Sequence, residues 1–198
     1  MTEISDVRDA ERSRELILEA AVAELAAKNL SSFTLDGVAA RAGVDSVLVK
    51  QLWPNTLKLL NASLMAFADR FMPVPDTGTL RGDLLQYAKS YAQTINMPSG
   101  RRLLDALLIS PKDWDVSAVR PAFHKGRHVR IVVMLRRGIE RGECPPDTDG
   151  ERVLDMLAAC LCTPLMFYDR DVTDEDCEFI VDTLLNGVGA DPGGAPHH

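Results

Sequence analysis

Four side chains that can recognise a DNA base fall on one face of a short predicted helix, residues 46–52; they are Ser46, Val47, Lys50 and Gln51. A glutamine amide can pair with adenine, a lysine ammonium can reach guanine O6 and N7 or a phosphate, and a valine methyl can touch that of thymine. The pattern predicts a surface that reads bases in the major groove. A helical hairpin in another kind of bundle would show the same spacing, so the residues alone leave both interpretations open.

The elements that would position this face are two short helices joined by a tight turn. Thr34 is a good N-cap for a helix that runs to Ala42, and Gly43 can adopt the left-handed conformation that ends it. Asp45 can cap the second helix, which Pro54 cannot continue. This organisation predicts a helix-turn-helix, in which the first helix braces the second across the major groove. The apolar residues expected to hold these helices together are Val38, Ala39, Ala42, Val44, Val49 and Trp53.

The rest of the chain also shows helical periodicity, which predicts an all-α fold of about nine helices. An apolar stripe indicates the first helix, with Ile17, Ala20, Ala21 and Leu25 inward and Glu24 as its one polar interruption. The clearest break lies at 73–78, Pro-Val-Pro-Asp-Thr-Gly. We therefore expect a three-helix DNA-binding domain at 1–72, an antiparallel helical bundle for ligand binding and dimerisation at 73–190, and a mobile tail at 191–198. Further helices are expected at 57–72, 79–96, 99–110, 120–142, 149–168 and 174–187, with Pro164 kinking or ending the fifth of these.

The charge of the chain argues against a protein that coats nucleic acid without regard to sequence. The net charge is −7, the pI is about 5.1, and residues 1–70 carry 8 Lys/Arg against 10 Asp/Glu. Non-specific binders need many cations to displace counterions, whereas a specific binder needs only a few well-placed donors. The sequence shows neither a signal peptide nor an apolar run long enough to span a bilayer, which predicts a cytoplasmic protein without membrane contact.

Other residue types that carry chemistry form no convincing catalytic or metal site. His124 and His128 lie four apart and continue the apolar line of Ile131 and Leu135, so both are expected to point inward. Two histidines without a third ligand make only half a metal site, and we assign none. The four cysteines fit neither a disulfide framework nor a zinc motif, and no nucleophilic triad, P-loop or GxGxxG can be inferred. The sequence therefore predicts neither an enzyme nor a bound cofactor.

The segment 79–142 offers a candidate ligand pocket. Its aromatic, methionine and histidine side chains give the mix of apolar surface and few polar groups that is usual in such sites. The expected ligand is apolar or aromatic and carries one polar or acidic group. The candidate lining residues are Tyr87, Tyr91, Met97, Trp114, Phe123, His124 and His128.

The predicted helix at 149–168 is apolar nearly all round, so it needs cover on more than one side. The helix at 174–187 adds further apolar residues. Together they predict a two-fold, four-helix dimer interface, in which small residues permit close approach. The residues assigned to this interface are Leu157, Ala158, Leu161, Leu165, Ile180 and Leu184.

The N-terminal segment resembles the TetR family of transcriptional regulators. The similarity runs through Arg14–Ala21, Thr34–Leu35, Val38–Val44, Trp53–Pro54 and Leu57–Leu60. The resemblance implies a homodimeric repressor that leaves a palindromic double-stranded DNA operator when a small molecule binds. The helix face and the resemblance together give as candidate DNA-contacting residues Thr34, Arg41, Asp45, Ser46, Val47, Lys50, Gln51, Trp53 and Lys58.

The second short helix departs from the family pattern. Val47-Leu48 stands where a Gly-Thr pair is usual, and Leu48, Leu52 and Thr56 replace residues that typically donate to phosphates. Arg41 and Lys58 are the candidates for the missing phosphate contacts. Gly37 replaces a better helix former, at a cost on the order of 1 kcal/mol relative to alanine. The alternative function is a TetR-like ligand-binding or protein-interaction module with weak or lost specific DNA binding.

Overall fold

A computed structural model of the chain describes residues 2–27, 32–108 and 118–187. Throughout these ranges the regular secondary structure is helical, which confirms the predicted all-α fold. Trp114 and the tail at 191–198, for which the sequence made predictions, lie outside the described residues. The helices of this part are α1 (Thr2–Ala27), α2 (Leu35–Ala42), α3 (Ser46–Leu52), α4 (Thr56–Phe71), α5 (Leu80–Asn96), α6 (Pro98–Leu108), α7 (Val119–Ile131), α8 (Val133–Glu140), α9 (Gly150–Tyr168) and α10 (Asp174–Asn186).

The chain divides into two compact units. The first contains Met1–Phe71 with Met97–Arg127, and the second contains Met72–Asn96 with His128–His198. The first unit therefore holds α6 and most of α7 in addition to α1–α4. The division of the chain into a DNA-binding and a regulatory domain at residue 73 stays a prediction about function.

The first unit is built around the apolar stripe of α1. Ile17, Ala20, Ala21 and Leu25 are buried, as the helical spacing predicts. They share one core with residues of α2, α3 and α4, and also with Leu103 of α6. Because burial of apolar side chains drives the packing of these helices, the position of α1 fixes that of the helix-turn-helix.

The second unit packs α5 against α8, α9 and α10. The beginning of α5 is anchored by the fully buried Asp83, whose carboxylate accepts hydrogen bonds from the Thr77 N–H at 2.6 Å and the Thr77 hydroxyl at 2.8 Å. The Leu80 N–H donates to Glu143. Pro164 does not end α9, which continues to Tyr168. Among the described helices, none combines the length and apolar character that crossing a bilayer would require.

Two predictions about the segment 120–142 were wrong. The single expected helix is interrupted at Val132 into α7 and α8, although the Val132 N–H still donates to the His128 carbonyl at 2.9 Å. His128 is buried, as predicted, but His124 is exposed. The reason is that the early turns of α7 turn Val119 and Phe123 toward the core of the first unit, which leaves His124 outside that face.

Candidate nucleic-acid interface

The turn between α2 and α3 has the geometry that its sequence predicts. The Thr34 hydroxyl caps α2 by accepting a hydrogen bond from the Gly37 N–H at 3.0 Å. Gly43 ends α2 with φ 69°, a left-handed conformation that glycine adopts without a steric penalty. The Asp45 carboxylate then caps α3 by accepting from the Val47 N–H at 2.8 Å. Both side chains are committed to the backbone, so Thr34 fixes the start of α2 and Asp45 fixes the start of α3.

The two sides of α3 differ sharply in exposure. Val49 is fully buried, and Trp53 just after the helix is 4% exposed. On the opposite side Val47 is 56% exposed, and Lys50 and Gln51 are exposed as well, with Ser46 half-buried beside them. The split between a supporting face and an open face is the predicted one. Contact of the open face with DNA stays a prediction.

An acidic residue that the sequence analysis missed lies beside the open face. The Asp36 carboxylate of α2 forms an ion pair with the Lys50 ammonium, Oδ1 to Nζ 2.6 Å. The hydrogen bond from Lys50 is the main cause that lowers the pKa of Asp36, and a hydrogen bond from Ser46 adds to it. Two of the four candidate base-reading residues thus interact with one carboxylate in the free chain.

A buried ion pair ties α2 to α1. Glu24, which interrupts the apolar stripe, is only 2% exposed, and it accepts a hydrogen bond from Arg41 Nε at 2.7 Å. Gly37 makes room for this carboxylate, because a Cβ at that position would lie 3.0 Å from Glu24 Oε1. The glycine that departs from the family pattern therefore accommodates a buried charge, and Arg41 is partly committed to holding it.

The remaining predicted DNA contacts occupy the edges of the same unit. The guanidinium of Arg14 lies 5.0 Å from the centre of the Trp53 ring, so α1 also supports the end of α3. Lys58 is exposed in the first turn of α4, where its N–H donates to the Asn55 side chain at 2.9 Å. Leu52, by contrast, exposes 37% of an apolar side chain at this surface.

Known proteins resemble this chain along most of its length. A family model described as "Tetracyclin repressor-like, C-terminal domain" matches residues 74–184. The chain belongs to the TetR family. It is 27% identical to the HTH-type transcriptional regulator AqdR of Rhodococcus erythropolis, over 89% of this chain and 85% of that protein. It is 25% identical to the uncharacterized HTH-type transcriptional regulator YdeS of Bacillus subtilis (strain 168), over 91% of each.

Structural similarity agrees with this assignment. The crystal structure of the TetR family transcription regulator SCO0332 matches with a TM-score of 0.73 and 25% identity, over 89% of this chain and 98% of that one. The helix-turn-helix therefore belongs to a DNA-binding transcriptional regulator. The resemblance seen in the N-terminal sequence is confirmed.

The candidate ligand-pocket residues of this TetR-family regulator are divided between its two units. Tyr87, Tyr91 and His128 belong to the second unit, where the Tyr91 hydroxyl lies 3.4 Å from Cys162 Sγ and His128 Nε2 lies 3.0 Å from the Asp155 carboxylate. The described candidates in the first unit are Met97, Phe123 and His124. A ligand contact by these residues stays a prediction.

The residues assigned to a dimer interface differ in what they expose. Leu157 and Leu161 of α9 are 1% and 0% exposed within a single chain, so they belong to the core of the second unit. Ala158, Leu165, Ile180 and Leu184 are half-buried. The exposed side of α9 carries other residues at helical spacing, namely Met156, Ala159, Cys160, Thr163 and Phe167. The sequence pattern did not reveal this side because α9 is apolar on every side.

Proposed function

We propose that this TetR-family regulator represses transcription by binding a palindromic operator as a homodimer. Each copy places α3 in the major groove, and the two copies reach successive grooves about 34–36 Å apart. The observation that carries the proposal is the exposed face of α3, held by two capped helix ends and a buried apolar side. The chain is too acidic for binding by charge alone, so base contacts have to supply the specificity.

Base reading falls to Val47, Lys50 and Gln51, which are exposed on the side of α3 opposite Val49. Gln51 matches adenine, Lys50 matches guanine or a phosphate, and Val47 matches the methyl group of thymine. Ser46 is half-buried beside them, and its hydroxyl can hydrogen-bond to a base edge. Contact of Lys50 with DNA would compete with its ion pair to Asp36.

Two cations outside α3 support the proposed phosphate contacts. The Arg41 side chain is 38% exposed, and its Nε hydrogen bond to Glu24 holds the guanidinium in a fixed orientation. Lys58 is exposed at the start of α4. These contacts would replace some of the phosphate contacts that Leu48, Leu52 and Thr56 cannot make. They position the protein on the duplex without reading its sequence.

Dimerisation is proposed through the exposed side of α9 together with α10. Met156, Phe167 and Phe179 are 56%, 73% and 71% exposed in the single chain. Met156 and Phe167 share one side of α9 by helical spacing, and large exposed apolar side chains of this kind indicate a protein contact. Ala159 offers the small surface that two helices need to approach closely. Four half-buried residues can contribute their exposed atoms to this contact, namely Ala158, Leu165, Ile180 and Leu184.

We further propose that a small molecule bound in the regulatory part lowers operator affinity. A ligand changes the equilibrium only if it binds the DNA-incompetent arrangement more tightly. A coupling of about 1–3 kcal/mol would weaken operator binding about 5- to 150-fold. The mix of aromatic and polar groups at Tyr87, Tyr91 and His128 supports an apolar or aromatic ligand with one polar or acidic group.

Selection of genomic DNA fragments by the purified protein tests the proposal. We expect a small set of fragments that share a palindrome with half-sites one helical turn apart, and protection of both half-sites in footprinting. Enrichment without a shared sequence would contradict operator recognition. That result would favour the second candidate, a TetR-like module without specific DNA binding, to which the exposed Leu52 and the Asp36–Lys50 pair already point.

A further inference from the structure

The first unit contains a cavity of about 890 Å³. Its walls come from α1, α4 and the beginning of α6, where Ser99 lies. This volume falls within the range of about 300–1,000 Å³ that is usual for small-molecule sites. The residues that line the cavity include none of the candidates for the predicted ligand pocket, so this is a different site.

The described walls of the cavity are mainly apolar. α1 contributes Leu18 and Val22, and α4 contributes Ala66, Phe67 and Phe71. The rings of Phe67 and Phe71 have their centres 4.6 Å apart and are tilted by 41°, so they present aromatic faces and edges together. Apolar walls of this kind favour a ligand that buries rings or alkyl groups.

The charged residues of the lining carry an excess of negative charge. They comprise three carboxylates, Glu15, Glu19 and Asp69, against the single cation Arg70. Arg70 pairs with Glu19, and Asp69 lies 3.2 Å from Arg127 Nη1. Arg102 donates to the Ala26 carbonyl at the edge of the lining, and the exposed Glu15 is the carboxylate of the lining that remains to meet a cation. The electron-rich face of an aromatic ring also attracts cations; the Arg70 guanidinium already lies 5.7 Å from the centre of the Phe71 ring, so Phe67 is the ring considered for the ligand.

We propose that this cavity binds an apolar cation, a bulky hydrophobic molecule with one positive charge. Its hydrophobic groups would lie against Val22 and Phe67, and its charge would face Glu15. α1 lines the cavity with one side and packs on α2 with the adjacent side. The occupant therefore contacts the helix that supports the DNA-binding element. The site goes beyond the proposed function and does not depend on it, because its occupancy is measured without DNA.

Titration calorimetry of the full chain with two matched probes tests the charge preference. Tetraphenylphosphonium and tetraphenylborate have nearly the same shape and opposite charge. We expect the phosphonium ion to bind once per chain and the borate to bind at least roughly tenfold more weakly, because the lining is negative. Equal affinities of the two ions would overturn the proposal.

Substitutions then locate the site. Glu15→Gln should weaken phosphonium binding roughly threefold or more, and Glu11→Gln, an exposed carboxylate one turn earlier on α1 and outside the lining, should leave it unchanged. Ala66→Phe should weaken binding severalfold by narrowing the cavity at its α4 wall, with circular dichroism confirming that the helices persist. Equal effects of the two glutamine variants, or full binding by a folded Ala66→Phe, would place the ion elsewhere and overturn the proposal. Failure of the protein to select an operator would contradict the proposed function and leave this result standing.

Discussion

Outside α3, Asp36 is a residue that we expect to influence DNA binding. It holds the Lys50 ammonium at 2.6 Å, and both side chains are at least half exposed. Exposed ion pairs contribute little to stability because water and salt screen them. We therefore expect the carboxylate to act mainly on DNA binding, since it would both retain Lys50 and repel phosphates.

We predict that Asp36→Asn strengthens binding to DNA of unrelated sequence roughly threefold to tenfold at low ionic strength, because one negative charge next to the backbone is lost. Fluorescence anisotropy with a random duplex measures this. Glu140→Gln, with the same charge change at an exposed position of α8, is the control and should show no gain. Equal affinities of the wild type and Asp36→Asn would refute a role for Asp36 at the DNA surface.

Single residues were predictable where their chemistry acts on the adjacent backbone. Thr34, Gly43 and Asp45 cap or end helices through local hydrogen bonds and local dihedral angles, so their roles follow from the sequence. Glu24 was not predictable, because its partner Arg41 is 17 residues away and meets it only when α2 packs on α1. The Asp36–Lys50 pair likewise exists only once the crossing of α2 and α3 is set.

At the scale of the element, the stability of α2 at Gly37 depends on two opposing effects, helix propensity and steric crowding. Alanine is a better helix former than glycine by about 1 kcal/mol, but its Cβ would lie 3.0 Å from both Glu24 Oε1 and Thr34 Oγ1. Glu24 is buried and held by Arg41, so it cannot easily move away. Overpacking costs about 1–3 kcal/mol, so we predict that Gly37→Ala lowers the free energy of unfolding by up to about 2 kcal/mol.

Gly126→Ala in α7 is the matched comparison. Its Cβ would meet only the flexible Met65 side chain, at 3.4 Å from Sδ, which is ordinary contact. This variant should gain up to about 1 kcal/mol from helix propensity. Urea denaturation of both proteins measures the difference, and equal stabilisation by the two substitutions would show that Gly37 is not required by Glu24.

The hydrogen bonds at the N-terminus of α10 predict that the stability of the fold depends on pH. Asp176 completes a capping box with Thr173 and forms two hydrogen bonds with Arg170, of 2.7 and 3.1 Å. The bond to Arg170 is the main cause that lowers the pKa of Asp176 below its ordinary value. A carboxyl with a lowered folded-state pKa stabilises the fold above its unfolded pKa of about 3.9, and this contribution is lost as the pH falls toward the folded value.

Asp176→Asn should therefore cost about 1 kcal/mol at pH 7, with allowance for the partial exposure of the pair. The difference from the wild type should shrink as the pH falls below about 4. Urea denaturation across this range measures it. A difference that stays constant down to pH 3 would mean that the ionised carboxylate does not stabilise the helix.

The bounds of the helices were largely predictable, whereas the buried sides of some were not. Caps and glycines mark the ends of α2, α3 and α10 in the sequence. Val132, where α7 gives way to α8, has neither a proline nor a glycine to mark it. In α9, Leu157 and Leu161 face the core while Met156 and Phe167 face outward. The hydrophobic pattern could not separate these sides, because only the packing of α5 and α10 decides between them.

On the scale of the whole molecule, the exposed apolar side of α9 and α10 predicts the oligomeric state. Met156→Glu combined with Phe179→Glu should convert a dimer to a monomer, because two charges would be buried on each side of the contact. Light scattering coupled to size exclusion measures the mass. Since both residues are exposed in the single chain, the variant should keep its helical content.

Val129→Glu is the control for this substitution. Val129 is 67% exposed and lies on α7, outside the proposed contact, so the variant should remain a dimer. If the Met156→Glu, Phe179→Glu variant kept the mass of a dimer, the proposed dimer contact would be wrong. Loss of the dimer by the Val129 variant alone would point to α7 instead.

The central claim is that the exposed face of α3 reads DNA bases. Its most direct measurement is the affinity of Gln51→Ala and Lys50→Ala for a selected operator and for versions of it altered at each base pair. We predict that Gln51→Ala relaxes the preference at one symmetry-related position by about 1–3 kcal/mol. Lys50→Ala should weaken binding. If Lys50 contacts a phosphate, the variant should also lower the slope of log affinity against log salt concentration by about one. Unchanged affinity and base preference in both variants would contradict the account.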